Sequence, residues 1–257
     1  MATSAQPTRG VDSARRVLQI LLQFSESRPQ TTIDEVARLH SISIPSAYRY
    51  MALLREMYLI EERSRGVYVL SPQIIRLANA SEKSLDLAAV SKPILEHLME
   101  ETHETALVVK RLQDAVVCVA VAEPDKSLSI SFQPGYIMPL HRGAVAKMLL
   151  ATTPKRKQQS LIAKIRPALS AQESTDLIIA LEKIRKENFA ESESEVDKGV
   201  WAVAAPIVVS NRVIASVSVA APTFHVDENA RQSIRAKVSQ AAIDIADAIA
   251  SSEIDLT

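Results

Sequence analysis

The side chains best suited to binding a metal lie together in one short stretch. Two histidines and two glutamates fall within eight residues: His97, Glu101, His103 and Glu104. Imidazole and carboxylate groups are common ligands of protein-bound Zn²⁺, and three of these residues lie near one face of a predicted helix. Charged residues on the solvated face of an ordinary helix explain the pattern more simply. We therefore expect neither a metal nor another cofactor, and a zinc-dependent enzyme stays the alternative.

The sequence lacks the common motifs of catalysis. It contains no G-x-S-x-G elbow, no phosphate-binding loop and no dinucleotide fingerprint, and its five glycines are scattered. Cys118, the single cysteine, lies in the apolar run AVVCVAV, which is typical of a buried packing residue. The acidic run ESESEVD suggests cation binding but also fits a loop beside a pocket or in solvent. We predict that the chain is not an enzyme.

Length and composition describe a folded protein with room for two domains. The 257 residues are 47% apolar and 23% charged, as in ordinary globular chains. No apolar run approaches the roughly 20 residues that span a bilayer. The amino-terminal MATSAQPTRG lacks the apolar core of a signal peptide, and a single cysteine agrees with a reducing compartment. We expect a cytoplasmic protein with no membrane partner.

Basic residues are unevenly distributed although the net charge is zero. Residues 1–80 hold ten arginines and no lysine against seven acidic residues. The guanidinium fork suits phosphate oxygens and guanine edges, so this half favours nucleic acid as a partner. A general preference of the genome for arginine would explain the same bias.

Three helices are predicted in this basic half. The first covers about 12–25, where apolar residues recur at helical spacing. The second covers Thr32–His40, because Glu35 lies three residues after the Thr32 cap and completes a capping box. The third covers Ser43–Met57 after a short turn, with Ser43 as its cap. This order is typical of a helix-turn-helix.

The third helix has two distinct faces at 100° per residue. One face is apolar and should point to the core: Ala47, Met51, Leu54 and Tyr58. The opposite face is mainly polar and should be exposed: Pro45, Tyr48, Arg49, Ala52 and Glu56. Such a helix suits the DNA major groove, although an ordinary amphipathic helix with a solvated face has the same pattern.

A β-hairpin is predicted directly after the third helix. Leu59–Arg63 and Val67–Leu70 are short extended runs, and Gly66 in the turn between them can adopt positive φ. Arg63 and Arg65 would project from this wing toward phosphate or the minor groove, unless they are simply solvated turn residues. Together these elements predict a winged helix-turn-helix DNA-binding domain over 9–76.

The second half predicts a helical linker over 77–91 and a second domain over 92–252. A helix over Leu85–Thr102, with Pro93 inside it, opens this half. Five strands and four further helices follow; the predicted strands are Thr105–Leu112, Ala115–Ala122, Ser127–Phe132, Trp201–Val209 and Val213–Ala220, and the predicted helices are Arg142–Leu150, Lys155–Lys164, Ala171–Asn188 and Asp227–Ala250. This alternation predicts an α+β domain with a central antiparallel sheet.

The two halves together resemble the IclR family of bacterial transcriptional regulators. The resemblance rests on VDSARRVLQIL, TIDEVARLHSISIPSAYRYMALLREMYLIE and YVLSP in the first half. In the second half it rests on PILEHLMEETHETA, MPLHRGAVAKMLLA, ESEVDKGVWAVAAPI and SVSVAAP. It implies a GAF-like effector-binding domain behind the winged helix, a homodimer or dimer of dimers on double-stranded operator DNA, and a small-molecule effector. Many members control catabolism of aromatic compounds or small organic acids.

The resemblance also assigns DNA contacts to the start of the third helix. Ser46, Tyr48 and Arg49 keep the family's S/T-x-Y-R pattern, whereas Ile44 stands where Lys or Arg is frequent. An aliphatic side chain there can still touch a thymine methyl group. The residues expected at DNA are Ser43, Ile44, Pro45, Ser46, Tyr48, Arg49, Arg63 and Arg65.

Aligning the family words places six positions of this chain against effector-lining sites. They are Ala144, Val145, Ser192, Ala202, Ser218 and Ala220. Several are polar in relatives that take small keto-acids, so a more apolar wall favours a less polar or larger ligand. Arg142 is a candidate partner for an effector carboxylate or else a surface or interdomain residue. His141 is a candidate hydrogen-bond donor to the effector, although we expect it instead to cap the following helix.

The sequence therefore predicts a ligand-responsive transcriptional regulator of a catabolic operon for aromatic or other small organic acids. The alternative is a zinc-dependent or other small-molecule enzyme with an accessory nucleic-acid-binding domain. A purely architectural DNA-binding protein would not need a second domain of this size.

Overall fold

The computed structural model describes residues 10–25, 27–77, 86–125 and 130–254. By its internal contacts the chain divides into two compact units, with a boundary between Ser84 and Leu85. The helical linker predicted over 77–91 lies partly outside the described residues, since 78–85 are among those not described.

Within its described residues, the first unit holds four helical segments and a three-stranded antiparallel sheet. Its elements in chain order are α1 (Asp12–Leu21), β1 (Gln30–Thr32), α2 (Ile33–Leu39), α3 (Ile44–Glu56), β2 (Ile60–Ser64) and β3 (Val67–Leu70), and residues 73–77 are also helical. The strand order is β1-β3-β2. The β2–β3 hairpin confirms the predicted wing, whereas β1 was not predicted, because three residues carry little periodicity.

The helix-turn-helix follows the predicted pattern closely. Thr32 and Glu35 form the capping box, in which the Glu35 N–H donates to Thr32 Oγ1 and the Thr32 N–H donates to Glu35 Oε2. Ala47, Met51 and Leu54 on α3 are buried with Ile20 of α1. Two expectations were wrong. Helix α1 ends at Leu21, since a short Ser25–Arg28 bridge follows it, and Tyr58 is exposed.

The second unit is built on a six-stranded antiparallel sheet with the order β6-β5-β4-β9-β8-β7. Its strands are β4 (Thr105–Leu112), β5 (Ala115–Ala122), β6 (Ile137–Pro139), β7 (Ala190–Glu193), β8 (Val200–Val209) and β9 (Arg212–Pro222). Its helices are α4 (Asp86–Thr102), α5 (Ala144–Ala151), α6 (Lys155–Ile165), α7 (Ala171–Glu187) and α8 (Glu228–Ile254). The predicted antiparallel α+β architecture is thereby confirmed.

Alternation along the strands gives this sheet two apolar faces. On β8, Trp201, Val203 and Ala205 face one core, which α4 and α8 cover with leucine, isoleucine and valine side chains. The intervening Ala202 and Ala204 face the second core, which α5, α6 and α7 cover. A sheet that is apolar on both sides needs helices on both sides, so the unit has three layers.

The strand predicted over Ser127–Phe132 was wrong in its described part. Residues 127–129 lie outside the described part, and Ile130–Phe132 form a loop. The Glu123 carboxylate accepts hydrogen bonds from the Ser131 hydroxyl at 3.0 Å and the Phe132 N–H at 2.7 Å, so a side chain replaces a strand as their partner. The strand beside β5 is β6, and β7 pairs with β8 at the opposite edge.

Within the described residues, no helix combines the length and the apolar character needed to cross a membrane.

Candidate nucleic-acid interface and small-molecule cavity

The amino-terminal end of α3 carries the predicted DNA-contacting residues on exposed surface. Ser43 precedes the helix, but its hydroxyl donates to Ser46 Oγ at 3.0 Å and caps no backbone N–H. Ser43 thus occupies the predicted N-cap position with extended backbone, but it makes no side-chain capping hydrogen bond. Arg49 also donates to Ser46 Oγ, at 3.2 Å. This hydroxyl thus receives two donors and orients the Arg49 guanidinium along the first turn.

The rest of this surface is a mixture of apolar and polar groups. The side chains of Ile44 and Tyr48 are 40% and 57% exposed, and Pro45 is exposed beside them. Singly exposed apolar side chains are common on protein surfaces, so what matters here is their position beside Arg49 at the start of α3. The sequence therefore leaves an aromatic ring, an aliphatic group and a guanidinium available to a partner on one turn of helix.

The wing presents its arginines in the same unit. Arg63 and Arg65 are exposed at the end of the β2–β3 hairpin. Gly66 adopts φ +78°, as the turn requires, and its N–H donates to the Glu62 carboxylate at 2.7 Å. This bond holds the turn closed behind the two arginines. The nearby Arg55 differs, because it lies 3.7 Å from Glu62 in an ion pair.

A small cavity of about 40 Å³ lies in the second unit, between the start of α5 and the β7–β8–β9 edge of the sheet. It is lined by all seven residues expected at the effector: Arg142, Ala144, Val145, Ser192, Ala202, Ser218 and Ala220. Strand register explains why separate sequence words meet here, since Ser192 is opposite Ala202 and Ala202 is opposite Ala220. Three small side chains in one cross-strand row leave the space.

Eight further residues that sequence reasoning did not identify also line the cavity. They are Leu107, Phe132, Met138, Gly143, Glu195, Val196, Asp197 and Val200. The acidic segment ESESEVD contains Glu195, Val196 and Asp197. Its composition suggested a loop with a binding role but did not show that this loop lies against the start of α5. Phe132 lies in the loop that the sequence wrongly predicted as a strand, and Met138 lies on the edge strand β6, which the sequence did not predict.

Side chains from the β7 end cap helix α5. The Gly143 N–H donates to Glu195 Oε2 at 3.1 Å, and the Ala144 N–H donates to Ser192 Oγ at 3.0 Å. The expectation that His141 caps this helix was therefore wrong. Gly143 itself has φ +83°, and its missing Cβ would lie 3.1 Å from Val196 Cγ2. Only glycine fits this close approach without strain.

Arg142, Glu195 and Asp197 are the charged residues of the cavity lining, and a buried lysine lies behind Glu195, outside that lining. Lys147 is only 7% exposed, and its ammonium group forms an ion pair with the Glu195 carboxylate and lies 3.5 Å from the Glu191 carbonyl oxygen. Ser218 donates its hydroxyl to the Val203 carbonyl at 2.7 Å, which leaves mainly carbon atoms on that wall. The cavity therefore has an apolar floor and one charged side.

Arg142 and His141 lie at the outer margin of this region. Arg142 is half-exposed and lies 4.0 Å from the Glu173 carboxylate, at the limit of an ion pair. Within the described part of the chain, the buried His141 Nδ1 has no hydrogen-bond partner. Burial lowers the pKa of His141, and the positive charge of Arg142 lowers it further. The negative charge of Glu173 acts in the opposite direction but does not cancel these two effects on the pKa of His141.

The candidate zinc ligands do not converge. His97 lies 3.8 Å from Glu101 on one helix. The Glu104 carboxylate is instead buried and lies 2.8 Å from His225 Nδ1, within hydrogen-bond distance. Among the described residues, no group of three or more histidine, cysteine, aspartate or glutamate side chains could hold a metal ion. Cys118 is buried, as its apolar run predicted, and burial raises its pKa to about 11.

Two family models match this chain over most of its length. The IclR helix-turn-helix domain matches residues 13–64, and the bacterial transcriptional regulator IclR C-terminal domain matches residues 79–247. The regulator KipR of Bacillus subtilis is 24% identical over 88% of this chain and 92% of its own length. The Pca regulon regulatory protein of Pseudomonas putida is 23% identical over 80% of this chain and 73% of its own length.

Solved structures share the fold. An IclR homolog from Microbacterium hydrocarbonoxydans, crystallised in complex with 4-hydroxybenzoate, superposes with a TM-score of 0.79. The match covers 93% of this chain and 100% of that protein at 16% identity. The family consists of transcriptional regulators and not of enzymes. With a helix-turn-helix domain and an effector domain both matched, this chain belongs to the IclR family of transcriptional regulators.

Proposed function

We propose that this DNA-binding regulator controls a catabolic operon for aromatic or other small organic acids and responds to one of those acids. Its DNA-binding domain would cover 9–76, its linker 77–91 and its effector domain 92–252. The observation that carries the proposal is the cavity at the start of α5, a small and partly open space with an apolar floor and a charged side. An acid with a carbon skeleton has the matching chemistry.

On the DNA side, a homodimer or dimer of dimers in the cytoplasm would place the α3 helices in successive major grooves of a pseudo-palindromic operator. Arg49 and Tyr48 would contact bases or the adjacent backbone, together with Ser43, Ile44, Pro45 and Ser46. Arg63 and Arg65 would bind phosphates beside the groove. The exposure of these side chains at the start of α3 and the tip of the wing supports this arrangement.

On the effector side, the small residues in the cross-strand row favour a planar or compact carbon skeleton. Ala202 and Ala220 present only methyl groups, and the Ser218 hydroxyl is already bonded to a backbone carbonyl. One solved relative was crystallised with 4-hydroxybenzoate, an aromatic carboxylate, which supports this chemistry. An aromatic or weakly polar carboxylate therefore fits the wall better than a small polar keto-acid.

The test combines binding to DNA and to acids. An operator selected from random duplexes with the full-length protein is titrated by fluorescence anisotropy, with and without a panel of aromatic acids, short-chain acids and keto-acids. We expect at least one aromatic or short-chain acid to shift the operator dissociation constant by about 5- to 150-fold, the usual range of allosteric coupling. Response to polar keto-acids alone would contradict the apolar-wall argument. Light scattering gives the oligomeric state.

An Ala202→Leu variant sharpens the effector assignment. The larger side chain would fill a cavity of about 40 Å³ and exclude a ligand, while the DNA-binding unit is untouched. We expect normal operator affinity with no response to the acid. The matched control is Ala246→Leu on α8, outside the cavity lining, which should keep the response to the acid. If Ala202→Leu also keeps the response, the effector binds elsewhere.

A further inference from the structure

Glu195 occupies an unusual position between two spaces in the second unit. It lines the inner cavity of about 40 Å³, and it also lines an outer cleft of about 400 Å³ next to it. The cleft is bordered by His141, Lys147 and Glu173, and Arg142 lines both spaces. The Glu195 side chain therefore forms part of the wall between the two spaces.

The groups that hold this carboxylate are those that an external acid would use. Glu195 accepts from the Gly143 N–H at the start of α5 and pairs with the buried Lys147 ammonium. A buried ammonium without an anion is strongly disfavoured, so this point of the structure requires a negative charge. Here the protein itself supplies that charge, through a side chain of the loop over 194–199.

Backbone hydrogen bonds fix the two ends of the loop that carries Glu195: the Ser194 N–H donates to the Val200 carbonyl and the Thr223 N–H donates to the Gly199 carbonyl, both at 2.8 Å. The residues of this loop other than Glu195 are exposed, including Val196 at 50%. Ser194 adopts φ +57°, and its hydroxyl accepts from the Gly199 N–H at 3.0 Å, which closes the loop on itself. The Glu195 contacts and the Val196 contact with Gly143 attach it to α5. A loop attached in this way can open as one piece.

We propose that Glu195 is an internal substitute for the carboxylate of the effector, and that an acidic effector binds by displacing it from Gly143 and Lys147. The exchange keeps Lys147 paired, because one carboxylate replaces another. It also adds the space left by the glutamate side chain to the small inner cavity. A neutral analogue cannot compensate Lys147 and does not displace Glu195. This inference rests on the proposed effector function and assigns its charge selectivity to two residues.

The first experiment uses chemical complementation. Glu195→Ala removes a CH₂–COO⁻ group, for which acetate is the matching small molecule. Thermal unfolding of the full-length parent, Glu195→Ala and a Glu193→Ala control is followed during titration with acetate and with acetamide at constant ionic strength. Glu193 is the matched control because its carboxylate, two residues away, pairs with Arg231 at 2.8 Å on the protein surface.

We expect acetate to stabilise Glu195→Ala at concentrations at least about tenfold lower than those needed for the parent or for Glu193→Ala. Acetamide should act equally on all three proteins. Equal acetate dependence of the three proteins, or an equal response of Glu195→Ala to acetate and acetamide, overturns the inference. Glu195→Gln, which keeps the side-chain volume, guards against misfolding, and its unfolding should likewise become acetate-dependent.

The second experiment concerns the displacement itself. Binding of 4-hydroxybenzoate and 4-hydroxybenzamide is measured by calorimetry for the parent and Glu195→Ala. We expect the acid to bind Glu195→Ala about tenfold more tightly, with acetate as a competitor, and the amide to show no such gain. Equal or weaker binding of the acid overturns displacement. If no acid of the panel changes operator binding by the parent, the proposed function fails. The acetate experiment does not depend on operator binding, so it tests the role of Glu195 separately.

Discussion

Replacing Arg49 by alanine tests the assignment of the DNA-contacting surface without disturbing the fold. The Arg49 side chain is exposed, and its guanidinium donates to Ser46 Oγ within the same turn of α3. Exposed substitutions away from caps and cores usually change the free energy of unfolding by less than about 0.5 kcal/mol. Any larger effect on operator affinity therefore reports a lost contact with DNA and not a damaged helix.

The expected loss depends on what the guanidinium touches. An arginine that binds a base edge should cost about 1–3 kcal/mol of operator binding, or about 5- to 150-fold in affinity. One lost phosphate contact instead reduces the salt slope by about 0.9, so the affinity deficit changes by about 3.5-fold over a fourfold range of salt. Arg49→Lys separates the two, because lysine keeps the charge but not the planar fork.

The assay is fluorescence anisotropy on the selected operator at about 50, 100 and 200 mM KCl, with calorimetric unfolding of each protein alongside. The matched control is Arg55→Ala on the last turn of the same helix, where the guanidinium lies 3.7 Å from Glu62. We expect the control to bind within about twofold of the parent. An Arg49→Ala protein with unchanged affinity and unchanged salt slope would refute the assignment.

Four further outcomes follow from the structure. Thr32→Ala should lower the free energy of unfolding by about 0.5–2 kcal/mol by removing the α2 capping box, and Thr32→Ser should restore most of it in urea titrations. Gly143→Ala should cost more free energy of unfolding than Gly66→Ala in the same titrations, for two reasons. Gly143 combines φ +83° with ψ 157°, a conformation that essentially only glycine adopts, and an added Cβ would also lie 3.1 Å from Val196. Cys118 should react with a disulfide reagent far more slowly in the native protein than in denaturant near pH 8, because burial raises its pKa to about 11. Hydrogen bonds from Ser170 lower the pKa of Glu173 below 4.5, so its stabilising effect is full above pH 4.5 and is lost as the pH falls through its folded pKa; parent and Glu173→Gln unfolding curves should differ at pH 7 and converge once the pH is below that folded pKa.

The elements that could be predicted from sequence are those with local signals. The α2 capping box, the Gly66 turn and the β4–β5 hairpin depend on residues within a few positions, and the structure has them as predicted. Tyr58 failed for a local reason as well. It lies beyond the C-cap of α3 with φ +57°, so helical periodicity no longer fixes its direction.

The site was only partly predictable for a different reason. The cross-strand row of Ser192, Ala202 and Ala220 followed from resemblance to a family, because no pattern along the chain brings β7, β8 and β9 into register. Glu195 was seen only as one acid in an acidic run. Its role depends on a helix N-terminus and a buried ammonium about 50 residues earlier in the chain, and such long-range pairing leaves no periodic trace.

The size of the cavity limits how an effector can act. About 40 Å³ holds roughly one or two water molecules, far less than an aromatic acid occupies. An aromatic acid would therefore have to bind a conformation of the second unit in which this cavity is larger. An effector changes the occupancy of DNA only if its affinity differs between such conformations. Loop 194–199 continues directly from β7, and Arg231 and Arg235 on α8 hold the β7 glutamates at 2.8 and 2.7 Å. If the loop opens as proposed, β7 and α8 would be the first elements to move. We therefore expect these two ion pairs to differ in geometry between the free and the effector-bound domain.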